Sequence, residues 1–235
     1  DMPNHVINLV TLRGDETKIA ELLEAIKNDE IGRGSIDFNK IVPMPEALNI
    51  TAGSETDKGL QFYKDFVSVY TLMGTREGLD LLNIPEESEK AFLRARTDIP
   101  KDTFELGKAA FKNELQYGAP TWYLWCLDHW GTKWNAYGFD DYPSSDLEDT
   151  NPTIAFQTAW SAPHPILIKL AEMYPEVGFE HTWADEDIGM NCGQVVYENG
   201  KQTEIYYPDE AEAVEFANNA WGFENYEEEM GEQNL

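Results

Sequence analysis

Cys126 and His129 stand one helical turn apart, and His181 and Cys192 flank a turn-rich stretch, so these four carry the donor set of a Cys₂His₂ zinc site. Their spacing follows no familiar zinc framework, and the second pair lacks a knuckle to hold its ligands together, so four structural side chains are expected. Carboxylates offer a second possibility. Asp185, Glu186 and Asp187 with Glu180, or Asp140 and Asp141 with Asp146 and Asp149, have the charge to gather a divalent cation. Neither group shows the alternating ligands, glycine and closing glutamate of a calcium loop, and solvated loop charge is the expectation. Glu180 and His181 are the right types for acid–base work, yet neighbours on a strand point to opposite faces. The chain has no Gly-x-Ser-x-Gly, no glycine-rich phosphate loop and no His-Glu-x-x-His, and Gly32-Arg33-Gly34 is too short to cradle a phosphate. The residues point away from an enzyme and imply no cofactor.

Trp122, Trp125, Trp130 and Trp134 place four of the seven tryptophans within one short stretch. Such a row suits a stacking platform for bases, but platforms of that kind work with a basic groove, and only Lys133 is near. A core role is the expectation, with Cys126 packed beside the rings.

The elements that position these residues follow from periodicity. Asn4–Leu12 alternates and is β-branched, a strand; Asp15 caps a helix to about Asn28 with Ile19, Leu22, Leu23 and Ile26 on one face. Ser35–Val42 reads as a second strand, closing a β-α-β opening, and the polar stretch Ala47–Asp57 as a loop. Helices are expected over Lys58–Leu72, Glu86–Ala95, Thr103–Tyr117 and from Pro120 to Trp130, where Gly131 suits the left-handed position after a helix end. Thr132–Phe139, Thr153–Trp160 and Val177–Ala184 read as strands, with a helix over Pro163–Tyr174. Cys192–Glu198 and Gln202–Tyr207 form a hairpin across Asn199-Gly200, and Asp209 caps a last helix. These elements describe an α+β fold, a ferredoxin-like, largely antiparallel sheet with helices packed on one face. Residues 1–54 and 116–235 would form that domain and 55–115 a helical insertion.

Charge separates the function classes. The chain carries 17 basic and 44 acidic side chains, net −27, and residues 118–235 hold only Lys133, Lys169 and Lys201 against 23 carboxylates. Phosphate contacts supply most nucleic-acid affinity, so direct DNA or RNA binding is disfavoured, and anionic membranes for the same reason. No apolar run approaches the roughly 20 residues of a membrane span. Met2 reads as the natural start and no leader precedes His5, which with two cysteines points to a reduced, cytoplasmic setting.

The opening Pro3-Asn4-His5-Val6-Ile7-Asn8, the Ile41-Val42-Pro43-Met44-Pro45-Glu46 segment and the Tyr117-Gly118…Trp122-Tyr123…Asp128-His129-Trp130-Gly131-Thr132-Lys133-Trp134-Asn135-Ala136 block resemble the YubB-like, or Api-type, family. Its members are uncharacterised ferredoxin-like proteins of phages, plasmids and integrated elements. The resemblance implies a fold and a genetic context, and it carries over no catalytic residue.

Two functions are open. The first is a non-enzymatic interaction protein of a mobile element. It would engage a basic surface of a host protein, such as a nucleic-acid-directed or defence enzyme, through Asp140, Asp141, Asp146, Glu148, Asp149, Asp185, Glu186 and Asp187. The second is a small-molecule- or metal-binding protein, or an enzyme, with a tryptophan-lined pocket. The charge could also serve solubility alone.

Overall fold

The computed structural model describes residues 2–74, 79–139 and 147–222. The chain divides into two compact units, one made of residues 1–43 and 127–235, the other of residues 44–126.

The first unit is built on five strands: β1 His5–Arg13, β2 Thr153–Ala159, β3 Gly178–Asp185, β4 Cys192–Glu198 and β5 Lys201–Tyr206. They lie in the order β2-β1-β3-β4-β5, each pair antiparallel. The fold class is therefore α+β. Strands β2 and β3 run parallel to one another with β1 between them, joined through α6 His164–Met173, which makes a split β-α-β. Alternation sorts the side chains: Val6, Val10, Leu12, Ile154, Phe156, Phe179, Val195 and Tyr197 share one buried face. Each fully buried aliphatic or phenyl group there contributes about 1.5–3 kcal/mol. Helix α6 presents His164 to that face, its ring 4.6 Å from that of Trp183.

The opposite face is not bare. The last helix, α7 Ala213–Trp221, sets the small side chains Ala213, Ala217 and Ala220 against Ile7, Ala184 and Cys192. This refines the expectation of helices on one face. An alanine stripe lets a helix approach closely wherever the second face is apolar, and Thr11, Thr182 and Gln194 leave the rest of that face polar.

Helix α1 Glu16–Ile26 is capped as its sequence requires, with the Asp15 carboxylate accepting from the Lys18 amide at 3.0 Å. Two expected strands do not form. Phe38–Lys40 is a single 3₁₀ turn, capped by the Asp37 carboxylate accepting from the Asn39 amide. In 132–139 only Tyr137 pairs, with Gln157, in an isolated bridge. Side chains satisfy the backbone in both places: Asn135 accepts from the Phe38 amide at 2.9 Å and donates to Asp37 at 2.8 Å, so the β-α-β opening never closes.

The second unit is helical: α2 Ser54–Met73, α3 Glu86–Ala95, α4 Lys101–Tyr117 and the first part of α5 Trp122–Trp130. Helix α2 begins at Ser54, inside the stretch expected as a loop. Helices α2 and α4 touch backbone to backbone at Gly59 and Gly107. Tyr63 centres the core, its ring 5.2–5.4 Å from those of Phe66, Phe104 and Phe111. Its hydroxyl donates to buried Glu89 at 2.9 Å, and Lys108 pairs with the other carboxylate oxygen at 2.7 Å. Burial first, then the bond to Glu89, pushes the Tyr63 phenol up.

Candidate functional site

The aromatic block serves packing in part. Trp125, Cys126 and Trp130 are buried, and the Trp130 indole donates to the Val42 carbonyl at 2.8 Å. Burial raises the Cys126 thiol to about 11, so it stays protonated at neutral pH, with its sulfur 3.8 Å from that of Met44. Trp134 instead lies 40% exposed under the Lys133 ammonium at 4.2 Å, and Trp122 is half-buried.

The expected donor set does not converge. His181 lies on the face of the sheet under α6, Cys192 on the face under α7, and His129 is exposed. Among the described residues no group of three or more His, Cys, Asp or Glu side chains could hold a metal ion. Glu180 and His181 do point to opposite faces: Glu180 pairs with Arg13 at 2.7 Å, while His181 is fully buried.

The expected contact carboxylates fare differently. Asp140, Asp141 and Asp146 lie outside the described residues. Glu148 and Asp149 are exposed on the rim of a cavity of about 240 Å³ that Arg33 also lines. Glu186 accepts from the His5 amide at 2.9 Å, and Asp187 is exposed. Asp185 is a correction: it is 5% exposed and turned inward, accepting from Asn4 Nδ2 at 3.1 Å and the Asp187 amide at 2.9 Å. It holds the turn after β3 and is not available to a partner.

A surface that sequence reasoning missed lies at the far edge of the sheet. All six residues of β5 are exposed. Tyr206 lies on the α7 face of the edge, with exposed Val214, Glu204, Asp209, Glu210, Glu212 and Glu215 around it. Exposed Ile205 and Tyr207 turn to the other face, the Tyr207 ring 6.0 Å from that of Trp183. Lys201 is the one cation of the 201–222 segment. Among the described residues none of these five carboxylates has an ion-pair partner. The Tyr206 hydroxyl donates to Glu212 at 2.5 Å, and that bond raises its pKa; Asp209 accepts from the amides of Ala211 and Glu212 ahead of α7. The available signal was a strand without an apolar alternation following a firm hairpin turn, the mark of an edge strand.

This is an α+β domain with a five-stranded antiparallel sheet and an acidic, aromatic edge. Residues 130–228 match the model of a family described as the ferredoxin-like domain in Api92-like protein, a segment that contains β2 to β5 and α7. The crystal structure of a protein api92 from Yersinia pseudotuberculosis is similar over 88% of this chain and 98% of that one, at 10% identity and a TM-score of 0.40. No curated protein matches the chain. No helix of the described residues is long and apolar enough to cross a membrane.

Proposed function

We propose that the chain is a non-enzymatic, cytoplasmic interaction protein of a mobile element that docks on a basic surface of a host protein through β5 and the approach to α7. Nucleic-acid-directed and defence enzymes carry surfaces of that kind. One observation carries the reading: Glu204, Asp209, Glu210, Glu212 and Glu215 are exposed and without cationic partners among the described residues, beside exposed Tyr206 on the α7 face of the edge strand. Protein interfaces combine these features, with aromatic anchors supplying affinity and a ring of charge steering the encounter. The mobile-element origin rests on the sequence resemblance above.

Capture from host lysate, compared between the native chain and a Glu204→Lys, Glu210→Lys, Glu215→Lys variant, tests it. A basic protein held at about 50 mM salt should be lost near 0.5 M salt and lost to the variant at either. Equal reversal at Glu16, Glu21 and Glu24 should leave capture intact. Capture that survives the Glu204, Glu210 and Glu215 reversals as well would leave the charge a solubility device.

A further inference from the structure

In the helical unit a cavity of about 490 Å³ opens between the start of α2, where Gly53 and Asp57 line it, and the start of α5, where Pro120, Trp122, Tyr123 and Leu124 line it. That volume falls within the range of small-ligand sites. Both walls are pinned from behind. Buried Asn113 donates to the Pro120 carbonyl at 3.1 Å and to the Ala47 carbonyl at 2.8 Å, and the buried Thr56 hydroxyl donates to the Thr51 carbonyl. A site held this way keeps its shape before anything enters it.

The lining sets the ligand chemistry. Trp122 and Tyr123 stand edge to face, ring centroids 5.7 Å apart at 88°, so they offer π surfaces in two orientations. Tyr123 and Leu124 are 41% and 48% exposed, and their apolar area is open to a ligand. The one charged side chain of the lining is Asp57, exposed and without an ion-pair partner among the described residues. The neighbouring cation is engaged elsewhere, with the Lys58 ammonium 5.7 Å from the centre of the Phe62 ring. Aromatic faces beside a single carboxylate attract an organic cation. The amides at the start of α2 carry only about half a positive charge, which the full charges of Glu55 and Asp57 in the same turn outweigh, so an anion is disfavoured. A metal ion would need several oxygen ligands, and the cavity offers one carboxylate. Between the organic cations, guanidinium fits better than ammonium: it is planar, weakly hydrated, stacks on indole and forks onto a carboxylate.

We infer that this cavity binds a guanidinium group, such as an arginine side chain, between Trp122, Tyr123 and Asp57. The inference goes beyond the acidic sheet edge and does not depend on it.

The test uses the full chain labelled at its tryptophan indoles and titrated with N-acetyl-arginine amide. N-acetyl-citrulline amide, which replaces guanidinium by neutral urea of the same shape, is the control. A saturable shift of the Trp122 indole signal is expected with the arginine probe only, weakened about tenfold or more in Asp57→Asn, where a charge-assisted contact is lost. Assignment comes from the loss of one signal in Trp122→Phe. Equal binding of the citrulline probe, an Asp57→Asn variant that binds as well as the native chain, or no saturable shift would each overturn the inference. No host protein takes part, so either outcome is independent of the capture experiment.

Discussion

His181 sits in a polar chain laid across an otherwise apolar face. Its Nε2 donates to the side-chain oxygen Oδ1 of Asn8 at 2.9 Å, Asn8 Nδ2 donates to Thr158 Oγ1 at 2.9 Å, and that hydroxyl donates to the Ser161 backbone carbonyl at 2.7 Å. Nδ1 is buried without a hydrogen-bond partner among the described residues. Burial, and secondarily His164, lowers the His181 pKa from 6.5 to about 3. The sign follows. Unfolded chains bind the proton near pH 6.5 and folded ones do not, so this contribution to stability is complete above that pH. It is lost as the pH falls toward 3, at about 1.4 kcal/mol per pH unit for one proton. His164, also lowered by burial, acts in the same direction. Urea unfolding at pH 7.5, 6 and 4.5 should show a steeper acid loss in the native chain than in His181→Gln, by up to one proton; parallel curves would mean that His181 is not held neutral.

Among the helices, the crossing of α2 and α4 is the tightest constraint. A Cβ on Gly107 would lie 1.9 Å from the Gly59 carbonyl oxygen, and one on Gly59 would lie 2.2 Å from the Thr103 carbonyl oxygen. Both obstacles are backbone, so no rotamer change relieves them. Gly107→Ala should therefore destabilise the helical unit by about 3 kcal/mol, the upper end of the usual cost of overpacking, despite alanine's better helix propensity. Thermal unfolding followed by circular dichroism checks this; a variant as stable as the native chain would show that the two helices can part without cost. The hairpin of β4 and β5 is the opposite case, a contact set by a local rule. Asn199 and Gly200 both take positive φ, 52° and 77°, as a two-residue turn between twisted strands requires.

Across the whole molecule, charge is the dominant unbalanced quantity. Residues 118–235 contribute a net −20 of the total −27, and among the described residues the carboxylates of that half form one ion pair within it, Lys169–Glu172, and one to a residue outside it, Arg13–Glu180. Exposed pairs of this kind contribute little, so self-repulsion goes largely uncancelled. Raising sodium chloride from about 20 mM to 0.5 M should move the urea midpoint upward, because screening relieves the folded state more than the expanded one. A midpoint that falls with salt would show that attractive pairs outweigh repulsion.

Much of this was legible from short stretches of chain. The Asp15 cap, the Ile19–Leu22–Leu23–Ile26 stripe, the Asn199-Gly200 turn and the left-handed Gly131 obey rules that act within a few residues, where neighbours along the chain supply the geometry. Ser35–Val42 and Thr132–Phe139 depart from the strands their patterns suggest: Ile36 and Phe38 alternate like a strand, while Asn135, nearly a hundred residues away, accepts the Phe38 amide that a ladder would need. The same limit hid the candidate sites. Asp185 and Glu186 are neighbours of identical charge, yet one is buried among hydrogen bonds and the other exposed, because exposure is set by what folds back from Asn4 and Asn191. Likewise, nothing local to Asp57 announces Trp122, since only the folding of the helical unit brings two points sixty-five residues apart to one cavity. Local stereochemistry wrote the elements; chain closure over long separations chose the strand order, the free edge and the side chains left facing water.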